Sequence, residues 1–469
     1  MIEGKKWYNN EKVLYMKKIL LTIALLPMVA YATNPIVQTC YSTDPAPMVH
    51  GDRLYVYTGH DENNADFFWM QEWRIYSTDD MVNWTDHGSP LAIEDFSWGD
   101  DRAWAPQCIE RNGKFYFYVP LHSKLSGTMA IGVAVGDSPT GPFKDAIGKP
   151  LVDGDWAYID PTVFIDDDDQ AWLFWGNPEI YYVKLNPDMI SYDGEVKKVP
   201  LTPEGFGKGK FVPMEKDKKY LSTYTEGPWF YKRNGKYYLV YAGGGIPEHI
   251  GYSMSDHPEG PWTYKGIIME QNDSTNSFTN HPGVVDYKGK SYFFYHTGNL
   301  PGGGGFARSI CVEPFEYNSD GTFPLIKPTH EGAPAIKTFN PYGRIEAETM
   351  AWSKGITTEP NSKTGVYVSD IHNGDFLKVA NVNFGPTSPR KFEATVASAL
   401  RGGKITVHMD SIDGPIAATL DVPGTGGWEN WQTLETELSA EAAGIHDLYF
   451  VFEGRKGPKL FNFDYWTFK

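Results

Sequence analysis

The chain has 469 residues, 41% of them hydrophobic and 15% aromatic, with a formal net charge of −17. That length exceeds one ordinary core and points to two domains. The acidic balance argues against nucleic acid or an anionic membrane surface as partner and suits a neutral ligand.

Residues 1–32 read as an upstream extension followed by an export signal. Met16-Lys17-Lys18 gives a charged start, Ile19 to Val29 an apolar stretch too short for a permanent span, and Ala30-Tyr31-Ala32 a small-x-small cleavage site. The expectation is a secreted or periplasmic protein cleaved near Ala32. Five Lys and two Glu precede that point, so the remainder carries −20. Cys40, Cys108 and Cys311 read as buried free thiols, with one disulfide as the alternative in an oxidising compartment.

From residue 33 to 325 one phrase returns five times. An anchor is followed by a glycine or acidic turn and then by a short aromatic strand. The copies begin at Asp44-Pro45, Trp104-Ala105-Pro106, Asp160-Pro161, Glu226-Gly227-Pro228 and His281-Pro282-Gly283. A period near 60 residues, built from hairpin-bounded strands, is the pattern of a β-propeller. Equivalent positions in a propeller converge on its axis, and here they hold Asp44, Asp160, Glu226 and His281. Residues 326–343 are proline-rich, lack strand alternation and read as a linker. From Arg344 to Lys469 short strands with glycine turns predict a β-sandwich. The fold class is therefore all-β: a five-bladed propeller followed by a sandwich, or jelly-roll, domain.

Three carboxylates at one channel mouth are a chemical signal. Cleavage of a glycosidic bond takes one carboxyl group to protonate the leaving oxygen and another to activate water or attack. A third nearby can hold the acid's pKa up by like-charge repulsion. Taken singly, Asp-Pro and Glu-Gly-Pro are ordinary turn formers; at matching phases of a repeat, a shared site is the better reading.

Residues 34–325 resemble glycoside hydrolase family 43. The resemblance rests on Thr43-Asp44-Pro45-Ala46-Pro47, Arg102-Ala103-Trp104-Ala105-Pro106, Ile159-Asp160-Pro161-Thr162, Thr225-Glu226-Gly227-Pro228, and His281-Pro282-Gly283 with Arg308 downstream. It implies an inverting enzyme in which Asp44 is the general base, Glu226 the general acid and Asp160 the residue that tunes and orients Glu226. It also implies that Trp104 walls the terminal sugar, that Arg308 contacts substrate, and that His281 lies on the axis below the site, in some members beside a metal ion. Asn177 is a candidate for a sugar hydroxyl. His60-Asp61-Glu62 reads as a loop on the site face rather than a metal site. Phe67, Phe68 and Trp69 suit a xylan backbone lying across the pocket.

The C-terminal region resembles carbohydrate-binding module family 6 in Ile345-Glu346-Ala347-Glu348, Asn373-Gly374-Asp375-Phe376, Gly426-Gly427-Trp428-Glu429-Asn430-Trp431 and Phe461-Asn462-Phe463-Asp464-Tyr465. The resemblance implies structural calcium held by Glu346, Glu348 and Asp464. It also implies a sugar cleft with Tyr367 and Trp428 as facing platforms and Asn462 as the hydrogen-bonding group. Together these readings give a monomeric secreted hydrolase that removes α-L-arabinofuranosyl groups from arabinoxylan. A β-1,4-xylosidase is the alternative within the class, and a non-catalytic glycan-binding propeller the alternative outside it.

Overall fold

The computed structural model describes residues 30–209, 222–271 and 275–469. Five antiparallel sheets come in chain order, each one a blade. The first begins with Tyr41–His50 and Arg53–Asp61, and the second with Gln107–Arg111 and Lys114–Ser123. The third begins with Thr162–Ile165 and Ala171–Trp175, and the fourth with Tyr224–Arg233 and Lys236–Gly243. The fifth is Gly283–Tyr287, Lys290–Thr297 and Ser309–Phe315. The second strand of each blade is buried on both faces, because neighbouring blades cover it from either side. That is why Ala171-Trp172-Leu173-Phe174-Trp175 runs apolar without alternation. The hairpins at Asn112-Gly113, Asn234-Gly235 and Lys288-Gly289 have positive φ at both central residues, the geometry that matches strand twist in two-residue turns.

The anchors sit at irregularities in the inner strands. Asp44 (φ 54°) and Asp160 (φ 57°) adopt the left-handed region immediately before a proline, and so does Gly227 (φ 59°). The strand register breaks between Thr43 and Ala46 and again between Glu226 and Trp229. Such bulges re-aim side chains, here toward the axis. They also correct the phase read from the sequence. The position equivalent to Asp44 and Asp160 is Gly227, and Glu226 enters from one residue earlier. A Cβ at Gly227 would stand 3.0 Å from His281 Nδ1, so the imidazole occupies the space a side chain there would need.

The fifth blade has only three strands of its own. Residues 30–36 cover its outer edge: Ile36 N donates to Ile310 O at 2.9 Å. Asn34 then acts as a strand residue through its side chain. Its Oδ1 accepts from Val312 N at 3.0 Å, and its Nδ2 donates to Val312 O at 3.2 Å and Thr329 O at 3.1 Å.

The sandwich has two sheets around a core that includes Phe450, Phe463 and Trp466. It is joined to the first blade by hydrogen bonds of the same kind. Thr349–Met350 pairs with Trp84–Asp86 as a further strand. Asn83 Nδ2 donates to Ala380 O at 3.0 Å while Ala380 N donates to Asn83 Oδ1 at 2.8 Å. Arg74 Nη2 reaches Thr358 Oγ1 at 3.0 Å, and Thr358 donates to Asp86 at 2.7 Å. Residues 326–343 form no strand, yet Ile326 and Ala333 are buried and Ile336 N donates to Asp80 O at 3.0 Å. Among the described residues no helix is long and apolar enough to cross a membrane. The secretion signal falls largely on residues 1–29, outside the described residues. All three cysteines are unpaired.

Removal of the amide in Asn34→Ala leaves the Val312 backbone groups without partners. Each unsatisfied buried group costs about 1–3 kcal/mol, so a loss of about 2–6 kcal/mol for the two groups is expected from denaturant unfolding. An unchanged midpoint would show that this amide does not close the fifth blade.

Candidate active site

A pocket of about 210 Å³ opens at the axis, lined by Asp44, Asp160, Glu226, Asn177, His281 and Arg308, with Trp104, Phe67 and Phe68 as its apolar side. Its floor is built around Arg308, which is almost fully buried. Asp61 holds the guanidinium in a two-pronged pair, Nε to Oδ2 and Nη2 to Oδ1, both 2.9 Å, and also accepts Arg308 N at 2.8 Å. The guanidinium lies 4.8 Å over the Phe68 ring. Its free nitrogen, Nη1, faces Asp44 Oδ1 at 3.4 Å and Thr279 Oγ1 at 3.3 Å.

The carboxyl groups divide by environment. Burial alone would raise Asp44, but the Arg308 charge and contacts with His296 and His281 hold it well below the usual carboxylate range. Thr43 Oγ1 donates to Asp44 Oδ1 at 3.0 Å, and His296 Nδ1 stands 3.2 Å from the same oxygen. Asp44 is thus the ionised member. Burial is the main cause that raises Glu226, with the Asp44 charge adding to it; Asn177 and Glu248 oppose the rise through hydrogen bonds. Burial, then the Glu226 and Asp44 charges, push Asp160 well above its ordinary range. Two groups driven apart in this way provide one base and one acid at the same pH. Asp160 also accepts the Gly227 N–H at 3.0 Å, which fixes the backbone directly after Glu226.

Trp104 stands in the pocket wall, its indole N–H donating to Phe68 O at 2.9 Å. Asn177, expected to meet a sugar hydroxyl, lines the pocket and donates Nδ2 to Glu226 Oε2 at 2.5 Å. Burial lowers His281 to about 4, so its ring is neutral near pH 7. Its Nδ1 lies 3.9 Å from Asp44 Oδ1. Among the described residues no three His, Cys, Asp or Glu side chains gather around His281 as a coordination set. His296 directs its ring nitrogens at Thr43, Asp44 and Thr279, and Arg308 supplies the local positive charge.

Several residues escape a reading of the sequence. Asp61 lies in the phrase read as a loop on the site face; it ends the strand Arg53–Asp61 and is buried on Arg308, while its neighbour His60 bonds Glu72 at 3.0 Å. Glu248 follows a glycine-rich loop and carries no periodic signal. Trp156 is half exposed at the pocket mouth, 5.7 Å from Trp104 and edge-on to it, with Arg102 over both rings. Ile246 is exposed on the same rim. An isolated aromatic in a loop gives no sequence signal for such a place. Trp69, foreseen at the site, is exposed, whereas Phe67 and Phe68 pack into the wall.

In the sandwich the sequence-derived residues are differently placed. Tyr367 is buried, donates its hydroxyl to Glu359 at 2.8 Å and packs edge-on against Trp431 at 5.2 Å. It does not face Trp428 as a second platform. Lys459 Nζ lies 4.9 Å over the Trp428 ring. Asn462 is buried and donates to Trp428 O at 2.7 Å. Glu346 and Asp464 share the Arg344 guanidinium at 2.9 and 3.3 Å. Glu348 Oε2 and Asp464 Oδ1 are buried without a hydrogen-bond partner. Burial raises both, Asp464 to about 6. Orphaned hard oxygens of this kind fit a calcium-type cation. Among the described residues, however, no three His, Cys, Asp or Glu side chains are gathered as a coordination set.

Comparison with known proteins agrees with this geometry. A family model described as glycosyl hydrolases family 43 matches residues 32–323, and one described as carbohydrate binding module (family 6) matches residues 346–469. An arabinoxylan arabinofuranohydrolase of Bacillus subtilis is 34% identical over 93% of this chain and 92% of its own. A namesake in Paenibacillus polymyxa is 32% identical over 93% of this chain and 74% of its own. A crystal structure of a family 43 arabinoxylan arabinofuranohydrolase from Bacillus subtilis, in complex with cellotetraose, superposes with a TM-score of 0.79. It is 32% identical, and the match covers 94% of this chain and 99% of that one.

Arg308→Met is expected to remove the charge that lowers Asp44 and let Asp44 rise. Turnover needs ionised Asp44, so activity falls as pH drops through its pKa. The acid limb of kcat/KM should move up into the measurable range, with a loss on the order of a hundredfold from misplacement. An unshifted acid limb would show that Arg308 does not set Asp44.

Proposed function

The chain belongs to glycosyl hydrolase family 43 and carries a family 6 carbohydrate-binding module, and we propose that it removes α-L-arabinofuranosyl side groups from arabinoxylan by single displacement with inversion. The observation that carries this reading is the convergence of three carboxyl groups on one pocket, with Asp44 against the Arg308 guanidinium, which holds it low, and Glu226 raised by burial. Asp44 takes a proton from water as that water attacks the anomeric carbon. Glu226 gives its proton to the leaving oxygen as the C–O bond breaks. Arg308 holds Asp44 ready, and Asp160 fixes the backbone behind Glu226.

The pocket is sized for a single terminal sugar, which supports release of one side group at a time. Exposed Trp156, Trp69 and Ile246 around the site offer apolar surface to the polymer. The module takes the same plant polysaccharide, with Trp428 as its aromatic contact. Glu346, Glu348 and Asp464 are the residues that would hold calcium there, tying the first segment of the sandwich to its last strand. Secretion with cleavage near Ala32 completes the proposal, supported by the charged, apolar and small-residue order of residues 16–32.

Incubation with wheat arabinoxylan should release arabinose and leave the xylan backbone intact, with the inverted anomer seen first by NMR. Xylose released from xylo-oligosaccharide ends would replace this reading with a β-xylosidase. Glu226→Gln should lose at least a hundredfold on substrates with poor leaving groups, and Asp44→Asn should lose turnover on all. Full activity in either variant removes its assigned role.

In the whole protein, Trp428→Ala is expected to weaken retention on insoluble xylan several-fold with kcat on small substrates unchanged, and a chelator to lower the unfolding temperature until calcium is restored. Equal retention, or a midpoint indifferent to calcium, sinks the respective assignment.

A further inference from the structure

Glu248 is not among the residues that line the pocket, and beyond its influence on Glu226 it has no part in the roles above. It immediately precedes the strand His249–Ser255 of the fourth blade. Its side chain is 4% exposed. Asn280 N donates to Oε2 at 2.8 Å. Oε1 receives no N–H or O–H donor, and among the described residues Glu248 makes no ion pair. What faces it is acidic: the Glu226 carboxyl, Asp160 and the Tyr224 phenol. The cation of the pocket, Arg308, is committed to Asp61 and Asp44.

An unpaired ionised carboxylate in such a place is prohibitively costly. Two carboxyl groups can share a hydrogen bond only if one of them keeps its proton. Glu226 must give its proton away in each turnover, so the permanent proton belongs to the group behind it. We propose that Glu248 is a positioning residue of the glycosidase reaction: a carboxyl that stays protonated and donates its hydrogen bond to Glu226. This rests on Glu226 as the general acid.

The step balances simply. The Glu226 proton passes to the leaving oxygen as the glycosidic bond breaks, and Glu226 becomes a carboxylate. That carboxylate is received by two neutral donors, Asn177 Nδ2 and the Glu248 hydroxyl, and solvent later reprotonates Glu226. Glu248 keeps its own proton throughout. A fixed cation in the same place would stabilise the carboxylate too early and leave no acid at neutral pH. Neutral donors stabilise it without emptying the site of its proton. Burial and the neighbouring carboxyl groups push Glu248 well above the usual range, in keeping with this role.

The test uses the whole protein and two variants, with aryl α-L-arabinofuranosides of poor and good leaving ability. Glu248→Ala should lose on the order of tenfold to a hundredfold in kcat on the poor leaving group and little on the good one. The alkaline limb of its pH–kcat profile should move up, because Glu226 carboxylate has lost a donor. Glu248→Gln, whose amide still donates, should restore both. A downward shift of that limb in Glu248→Ala would mean that an ionised Glu248 had been raising Glu226, and would overturn the proposal. So would a folded Glu248→Gln as defective as the alanine variant.

Infrared difference spectra of wild type and Glu248→Gln at neutral pH read protonation without activity. The loss of one protonated-carboxyl band is expected, and its retention counts against the proposal. Glu226→Gln run beside them separates the two levels: if it shows no dependence on leaving group, the acid assignment has failed, while the infrared result still reports on Glu248 alone.

Discussion

Everything at the axis depends on one buried guanidinium. A lone arginine there would be untenable, and Asp61 makes it tenable by matching its fork with two bonds and neutralising one charge. The charge pattern that remains is asymmetric. Asp44 is near the guanidinium and is held low; Glu226, Asp160 and Glu248 lie where burial dominates and are pushed up. The division of labour between acid and base is therefore set by distance from Arg308, not by the intrinsic difference between aspartate and glutamate.

A second economy is in the backbone. A propeller needs its last blade finished and its partner domain fixed, and in both places a buried asparagine does so. Asn34 pairs with Val312 and Asn83 with Ala380, each amide supplying one donor and one acceptor as a strand residue would. A side chain can do this where the approaching segment is too short or too oblique to run as a strand.

Much of this was legible in the sequence. The repeat phrase gave blade count and order because hairpin turns and buried central strands impose strict residue types. It also brought Asp44, Asp160, Glu226 and His281 to one place. It misjudged the phase at Glu226, because a bulge inserts a residue without changing the phrase. Asp61 and Glu248 were hidden for a different reason: their roles come from burial, and burial of a lone acid is decided by blades distant in sequence. The sandwich strands were equally clear, but Tyr367 packs on Trp431 because a short strand match does not fix which aromatic ring faces which.

The strand Thr349–Met350 extends the first blade, the same blade that carries Asp44. The two domains thus share a sheet rather than a tether. A module on a flexible leash lets an enzyme sweep the neighbourhood of its anchorage. Here the offset between anchorage and pocket is a fixed length, so a gripped chain offers only those branches that fall at that spacing. Progress along the polymer must come from letting go and landing again, and residence time on the chain becomes a brake as well as an aid.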